Sequence, residues 1–152
     1  MMLRLKCAAA LAALPLFAAA ALAATEGPTT GPEKIAVIAE TPAEASVTDV
    51  KWIDSAENGA KIYSTAGGDP AINGLYTYLA IPGEAPDGDW RVFQIGDFNS
   101  WKIVEQTKDH VTLEVSRSWI DQASGEAKTV EEKLSVPLVG PDATEITVTP
   151  VK

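Results

Sequence analysis

Apolar and polar residues alternate in the second half of the chain. Apolar residues occupy every second position of 111–115, and polar residues fill the positions between them. The stretches 130–136 and 146–148 repeat this pattern, with Glu132 as the one polar residue on the apolar side of the first. A period of two indicates a β-strand with one buried face. Residues 75–81 are apolar or aromatic at six of seven positions, which predicts a central strand covered on both faces.

Nine short segments rich in Val, Ile, Thr and aromatic residues are predicted to be strands. They are separated by Gly, Pro, Asn and Asp, the residues that build turns. The segments are 34–39, 47–53, 61–65, 75–81, 90–95, 101–106, 111–120, 128–136 and 145–151. No stretch has a helical period beyond about two turns. The sequence therefore predicts an all-β fold, an antiparallel β-sandwich or β-barrel of about eight or nine strands.

Three connections carry recognisable turn chemistry. In 86–89, Gly88 can take the positive φ of a tight turn. Ser124 and Gly125 are expected to turn the chain between the two longest late strands. Residues 107–110 are expected to close a hairpin, which places His110 in a solvated turn.

The first residues have the pattern of a secretory signal peptide. Arg4 and Lys6 precede an apolar run over 7–24, which contains the small-residue sequence Ala21, Leu22, Ala23. The alternative is a single membrane anchor, because the run is close to the shortest length that spans a bilayer. We expect cleavage after Ala23 and a periplasmic or secreted bacterial protein exported by the Sec route.

The predicted organisation has three parts. Residues 1–23 form the signal peptide, 24–32 a flexible leader without periodicity, and 33–152 a single all-β domain. Cleavage removes the only cysteine, so the mature chain cannot form an internal disulfide and must be stable through its core alone. No membrane span is expected after cleavage.

Charge and residue inventory exclude several functions. The 152 residues include 12 basic and 21 acidic residues, a net charge of -9 that becomes -11 when Arg4 and Lys6 are removed. Such acidity argues against binding to nucleic acid or to an anionic membrane surface. With one His and no Gly-x-Ser-x-Gly motif, a Ser-His-Asp site is not expected. The interpretation is a protein that is not an enzyme and needs no cofactor.

Acidic and Gly-rich loops suggest two further sites that the sequence supports only weakly. Oxygen ligands from Asp69, Asp87, Asp89 and Asp97 could bind calcium, but Asp and Gly are also ordinary turn residues and no EF-hand pattern is present. The loop over 66–74 leads into a predicted strand and lacks Lys, so no phosphate site is expected there. No metal site is predicted.

One hexapeptide resembles a known family. Gly96, Asp97, Phe98, Asn99, Ser100 and Trp101 follow a strand-like segment. This run resembles the Gly-Asp-Phe-Asn-x-Trp turn of starch- and glycogen-binding modules, which are β-sandwich proteins. The resemblance implies that Trp101 stacks on a glucose ring. An indole presents a flat apolar face to the C–H face of a sugar, and Asn99 can hydrogen-bond to the hydroxyls.

Aromatic residues give the remaining candidates. The four Trp, at 52, 90, 101 and 119, lie in different predicted strands or at their ends, which favours one shared core. If two of them were instead exposed on one face beside Tyr76 or Tyr78, they would form a stacking platform for a ligand. The candidate ligand-binding residues are Asp97, Asn99, Trp101, Tyr76 and Tyr78.

Three functional hypotheses follow. The first is a non-catalytic binding or structural protein of the cell envelope, whose partner is a glycan or another envelope protein. The second is an α-glucan-binding module that uses Trp101. The third is a lipocalin-like carrier that holds an apolar ligand in a cavity lined by Tyr76, Tyr78 and Phe93.

Overall fold

The computed structural model describes residues 27–38, 47–56, 59–67, 72–84 and 89–152. The predicted signal peptide lies outside these residues. So do Asp69, Asp87 and Gly88, and the calcium and turn predictions made for them.

Nine strands form, and each of the nine predicted segments overlaps one of them, with differences of up to three residues at the ends. The strands are β1 (Glu33–Ala36), β2 (Val47–Trp52), β3 (Lys61–Ala66), β4 (Leu75–Ile81), β5 (Arg91–Phe98), β6 (Ser100–Gln106), β7 (His110–Ile120), β8 (Ala127–Pro137) and β9 (Glu145–Val151). No helix occurs in the described ranges. The all-β prediction is confirmed.

The strands form two antiparallel sheets. The five-stranded sheet has the order β1-β9-β8-β7-β6, and the four-stranded sheet has the order β2-β3-β4-β5. Because successive side chains point to opposite faces of a strand, the apolar side chains of each strand lie between the two sheets. This arrangement is a β-sandwich, one of the two architectures that the sequence predicted.

The interior is a single aliphatic and aromatic core. Its fully buried members come from both sheets: Ile62, Leu79, Ile81, Phe93, Phe98, Val111, Leu113, Val115, Leu134, Val136 and Val148. The alternating residues of β7 and the apolar positions of β8 and β9 therefore face inward as predicted. Residues 77–81 of β4 are all buried, which confirms a central strand covered on both faces.

Two segments join the sheets. Beyond β1, Val37 pairs with Phe93 of β5, and the Ile38 N–H donates to the Val92 carbonyl at 2.8 Å. The β1 segment thus contacts both sheets and closes one edge of the sandwich. Only Asn99 separates β5 from β6, so the chain passes there from one sheet to the other.

The leader is anchored where the structure describes it. The Thr29 backbone N–H donates to one carboxylate oxygen of Glu132 at 2.9 Å, and the Thr29 hydroxyl donates to the other at 3.0 Å. Gly27 is buried. Thr29, within the segment 24–32, therefore has a hydrogen-bond partner in β8 that the local sequence does not reveal.

The two predicted turns within the described residues are present. Between β7 and β8, Gly125 takes a φ of 71°, the left-handed conformation that glycine adopts without a steric penalty. Between β6 and β7, the Thr107 N–H donates to the His110 carbonyl at 2.9 Å. His110 also has its Nδ1 2.9 Å from the Thr107 hydroxyl, so its ring belongs to the hairpin turn.

Candidate functional site

An exposed aromatic patch lies on the outer face of the four-stranded sheet. Trp52, Lys61, Ala80 and Val92 are register partners in successive strands, and directly paired residues share a face of the sheet. Phe93, the neighbour of Val92, is buried between the sheets. The row that begins with Trp52 therefore faces away from the core.

Two tryptophans flank one lysine in this patch. Trp52 is 58% exposed and Trp90, which directly precedes β5, is 40% exposed. The Lys61 Nζ lies 5.2 Å from the Trp52 ring centroid and 4.1 Å from the Trp90 ring centroid. Both distances are within cation–π range. We call Trp52, Lys61 and Trp90 the Trp–Lys–Trp patch.

The prediction that all four tryptophans share one core is wrong for Trp52 and Trp90. Both lie at strand ends beside charged or turn residues, namely Asp54 and Asp89. Turn neighbours of this kind were the available signal that the indoles reach solvent. The sequence did allow an exposed aromatic pair as a platform, and the pair is Trp52 with Trp90. Lys61 was not among the predicted residues.

A tyrosine pair lies next to the patch on the same face. Tyr63 and Tyr78 are register partners in β3 and β4, with ring centroids 5.0 Å apart and planes 19° from parallel. Only 6% of Tyr63 and 4% of Tyr78 is exposed, because Ile38 and Val47 pack against them. Burial, with a smaller effect from Tyr78, raises the pKa of Tyr63 to about 12. This buried pair supports the sheet but offers no open surface.

The predicted residues Tyr76 and Asp97 are register partners on this outer face. The Tyr76 ring covers Gly67, where an added Cβ would lie 2.3 Å from a ring carbon. Burial raises the pKa of the Asp97 carboxyl, and the positive charge of Arg117 opposes the rise. One Asp97 oxygen is buried without a hydrogen-bond partner.

Gly96 to Trp101 spans the end of one strand, a bend at Asn99 and the start of the next strand. Gly96, Asp97 and Phe98 continue β5, and Ser100 already belongs to β6. The Asn99 side-chain amide donates to the Ser118 hydroxyl at 2.7 Å, so its amide nitrogen is already engaged. At this point the chain passes from the four-stranded sheet to the five-stranded sheet.

Trp101 lies in the five-stranded sheet, whereas Tyr76 and Tyr78 lie in the four-stranded sheet. It packs against the core and forms part of the wall of an open groove of about 270 Å³. The Lys102 ammonium and the Glu114 carboxylate, 2.5 Å apart, also border this groove. Tyr78 is on the outer face of the opposite sheet, so the five predicted residues do not form one site. Phe93 and Tyr78 likewise point to opposite faces of their sheet and do not line a common cavity.

A buried arginine is a second feature that was not predicted. Arg117 is 5% exposed, with its Cζ 5.0 Å from the Phe98 ring centroid and its Nε 3.9 Å from Glu132 Oε1. Its Nε and Nη1 have no hydrogen-bond partner among the described residues. A Cβ on Gly96 would lie 2.6 Å from the Phe98 ring and 3.2 Å from Nη2, so glycine makes room first for the ring and then for the guanidinium. Glu132, the polar interruption in the β8 pattern, was the sequence signal for a charge in the core.

Comparisons with known proteins place no constraint on the function. Within the described parts of the chain, no helix could cross a bilayer and no three potential metal ligands cluster. No protein-family model, curated protein or solved structure matches this chain.

Proposed function

We propose that this chain is a non-catalytic, saccharide-binding protein of the bacterial cell envelope. One observation carries the proposal: Trp52 and Trp90 expose their rings within 5.2 Å of the same lysine nitrogen. Large aromatic residues that stay exposed together on a rigid surface are typical of binding sites. An indole face matches the apolar C–H face of a sugar ring, and a neighbouring polar group can hydrogen-bond to the hydroxyls.

The support beneath the patch suits a preformed site. Lys61 and Trp52 lie in paired strands, and the next row of the same face contains the buried Tyr63 and Tyr78. Because these side chains are already packed, little ordering is needed when a ligand binds. A flat or shallow platform of this kind accepts an extended chain of sugars.

Export is the second part of the proposal, and it rests on the signal peptide pattern over residues 1–23. Expression of the full chain in a bacterium should yield a periplasmic product whose measured mass corresponds to a chain that begins at Ala24. A product that retains its first residues and stays with the membrane fraction would support the anchor interpretation.

Saccharide binding is tested with the purified mature chain. Soluble peptidoglycan fragments and a malto-oligosaccharide are titrated, with tryptophan fluorescence and calorimetry as readouts. We expect Trp52→Ala and Trp90→Ala each to weaken binding about tenfold or more, because aromatic anchors dominate binding energy. Trp119→Phe, on the other sheet, is the matched control and should bind like the wild type.

The same experiment distinguishes the second candidate site. The family resemblance at Gly96 to Trp101 makes Trp101 the alternative α-glucan site, and Trp101 also borders the groove of about 270 Å³. If Trp101→Phe weakens malto-oligosaccharide binding while Trp52→Ala does not, the ligand occupies the groove. If no tested saccharide binds the wild type, the proposed function is wrong.

A further inference from the structure

Lys61 is the cation of the Trp–Lys–Trp patch. It lies near two indole rings, and no acidic side chain of the described residues comes within ion-pair distance of it. The register partners of Lys51 and Arg91 are Ile62 and Ile81, which belong to the core, so neither cation shares the outer face with Lys61. Lys51 lies 3.4 Å from Asp49, and the Arg91 Nε donates to the Pro141 carbonyl at 3.0 Å. Lys61 is therefore the cation that a ligand on this patch would meet.

We propose that the Trp–Lys–Trp patch selects saccharides that carry a carboxylate, and that Lys61 binds this group. The inference rests on the saccharide-binding function proposed above. A lysine ammonium has three N–H donors and no acceptor. The indoles attract the ammonium through their π faces, and an N–H group that points away from both rings can donate to an oxygen atom of the ligand. A charge-assisted hydrogen bond to a carboxylate is about twice as strong as one between neutral groups.

The chain's overall charge makes a local contact necessary. With 21 acidic and 12 basic residues, the protein has no broad positive field that would attract anions from a distance. Selection of an acidic ligand must therefore come from contact at one site. The two indoles hold the Lys61 ammonium by cation–π attraction, so the cation is positioned before the ligand arrives.

Matched ligands test the inference. N-acetylglucosaminyl-N-acetylmuramic acid carries a lactyl carboxylate that di-N-acetylchitobiose lacks. A β-1,4-mannuronate trimer carries ring carboxylates where β-1,4-mannotriose has hydroxymethyl groups. Dissociation constants are measured by calorimetry for the mature wild-type chain and for Lys61→Met, which retains an unbranched stem. Lys108→Met, in the exposed β6–β7 turn, is the matched control.

We expect the wild type to bind the carboxylate member of at least one pair about tenfold more tightly than its neutral match. The pair that shows the preference identifies whether a lactyl or a uronate carboxylate is recognised. Lys61→Met should lose the preference and keep its affinity for the neutral member within about twofold. Lys108→Met should retain the preference. Circular dichroism and the melting temperature check that Lys61→Met is folded.

Several outcomes overturn the inference and leave the proposed function standing. One is equal binding of both members of each pair by the wild type. Another is an unchanged preference in Lys61→Met. A third is binding of a neutral malto-oligosaccharide with no binding of either acidic ligand. By contrast, the absence of binding to every saccharide overturns the proposed function as well.

Discussion

Two pairs of aromatic side chains occupy the same face of the same sheet and have opposite environments. Tyr63 and Tyr78 stack on each other with 6% and 4% exposure, whereas Trp52 and Trp90 are 58% and 40% exposed. Their strands are neighbours, and the rows differ by only two positions along β3. The difference comes from what covers each row.

Cover is supplied by residues distant in sequence. Ile38 and Val47 pack against the tyrosines, and Ile38 is held there by its hydrogen bond to Val92. No residue of the described ranges covers the two indoles to the same extent. Alternation determines which face a residue occupies, but tertiary contacts determine whether that face is dry.

The two aromatic pairs should differ most in how much they contribute to the free energy of unfolding. Tyr78→Ala removes a buried ring from the stacked pair and should lower the free energy of unfolding by about 3 kcal/mol. Tyr78→Phe keeps the ring and serves as the control. Urea denaturation measures both variants. If Tyr78→Ala is as stable as the wild type, the tyrosine pair does not form the support that we describe.

Alkaline pH should destabilise the protein through the same pair. The Tyr63 pKa is raised from 10.0 to about 12, chiefly by burial. The unfolded chain therefore releases this proton at a lower pH than the folded chain does. The stabilising contribution is complete below pH of about 10 and is lost as pH rises to about 12. Urea midpoints across this window should fall less steeply in Tyr63→Phe. Parallel curves for the two proteins would contradict the prediction.

Gly67→Ala should have an intermediate effect. The added Cβ would lie 2.3 Å from a ring carbon of Tyr76. The Tyr76 side chain would therefore have to rotate away, which should lower the free energy of unfolding by about 1 kcal/mol. Gly31→Ala, where nothing lies within 4 Å of the added carbon, is the matched control. Thermal denaturation compares the two. An equal effect in both would show that the Tyr76 ring is not confined by Gly67.

Trp52→Ala is expected to have the smallest effect on stability. The residue is mostly exposed and its ring contacts Lys61 by a cation–π interaction. Such exposed contacts contribute about 0.5 kcal/mol. Urea denaturation should therefore show a change near this value, although ligand affinity falls strongly. A loss near that of Tyr78→Ala would mean that the indole is part of the core.

The strands were predictable because their signals are local. Alternation over 111–115, the all-apolar character of 75–81 and the glycine at 125 each determine structure within a few residues. All three are confirmed by β7, β4 and the β7–β8 turn. The same local patterns gave the sandwich as one of two architectures.

The candidate site was less predictable because it depends on pairing between strands. Trp52, Lys61 and Trp90 are brought together only by the order β2-β3-β4-β5, and no local pattern specifies that order. The short run ending at Trp101 was prominent as a motif, yet the structure uses its first half as strand. The residue types in the sequence suggested a binding site built from aromatic side chains. The tertiary structure shows that Trp52 and Trp90 are the pair exposed to solvent.

In the described part of the chain, strands β2 and β6 are edge strands that do not pair with a strand of the opposite sheet. Each has an irregular register with its neighbour. β2 has a register shift after Val47, and β6 has one after Ile103. Charged residues lie on each, with Lys51 in β2 and Glu105 in β6. The other two end strands, β1 and β5, are joined through Val37. Bulges and charges at open edges prevent strands of separate molecules from adding to a sheet. These features disfavour edge-to-edge polymerisation of the sandwich, a hazard for any sheet protein kept at high concentration.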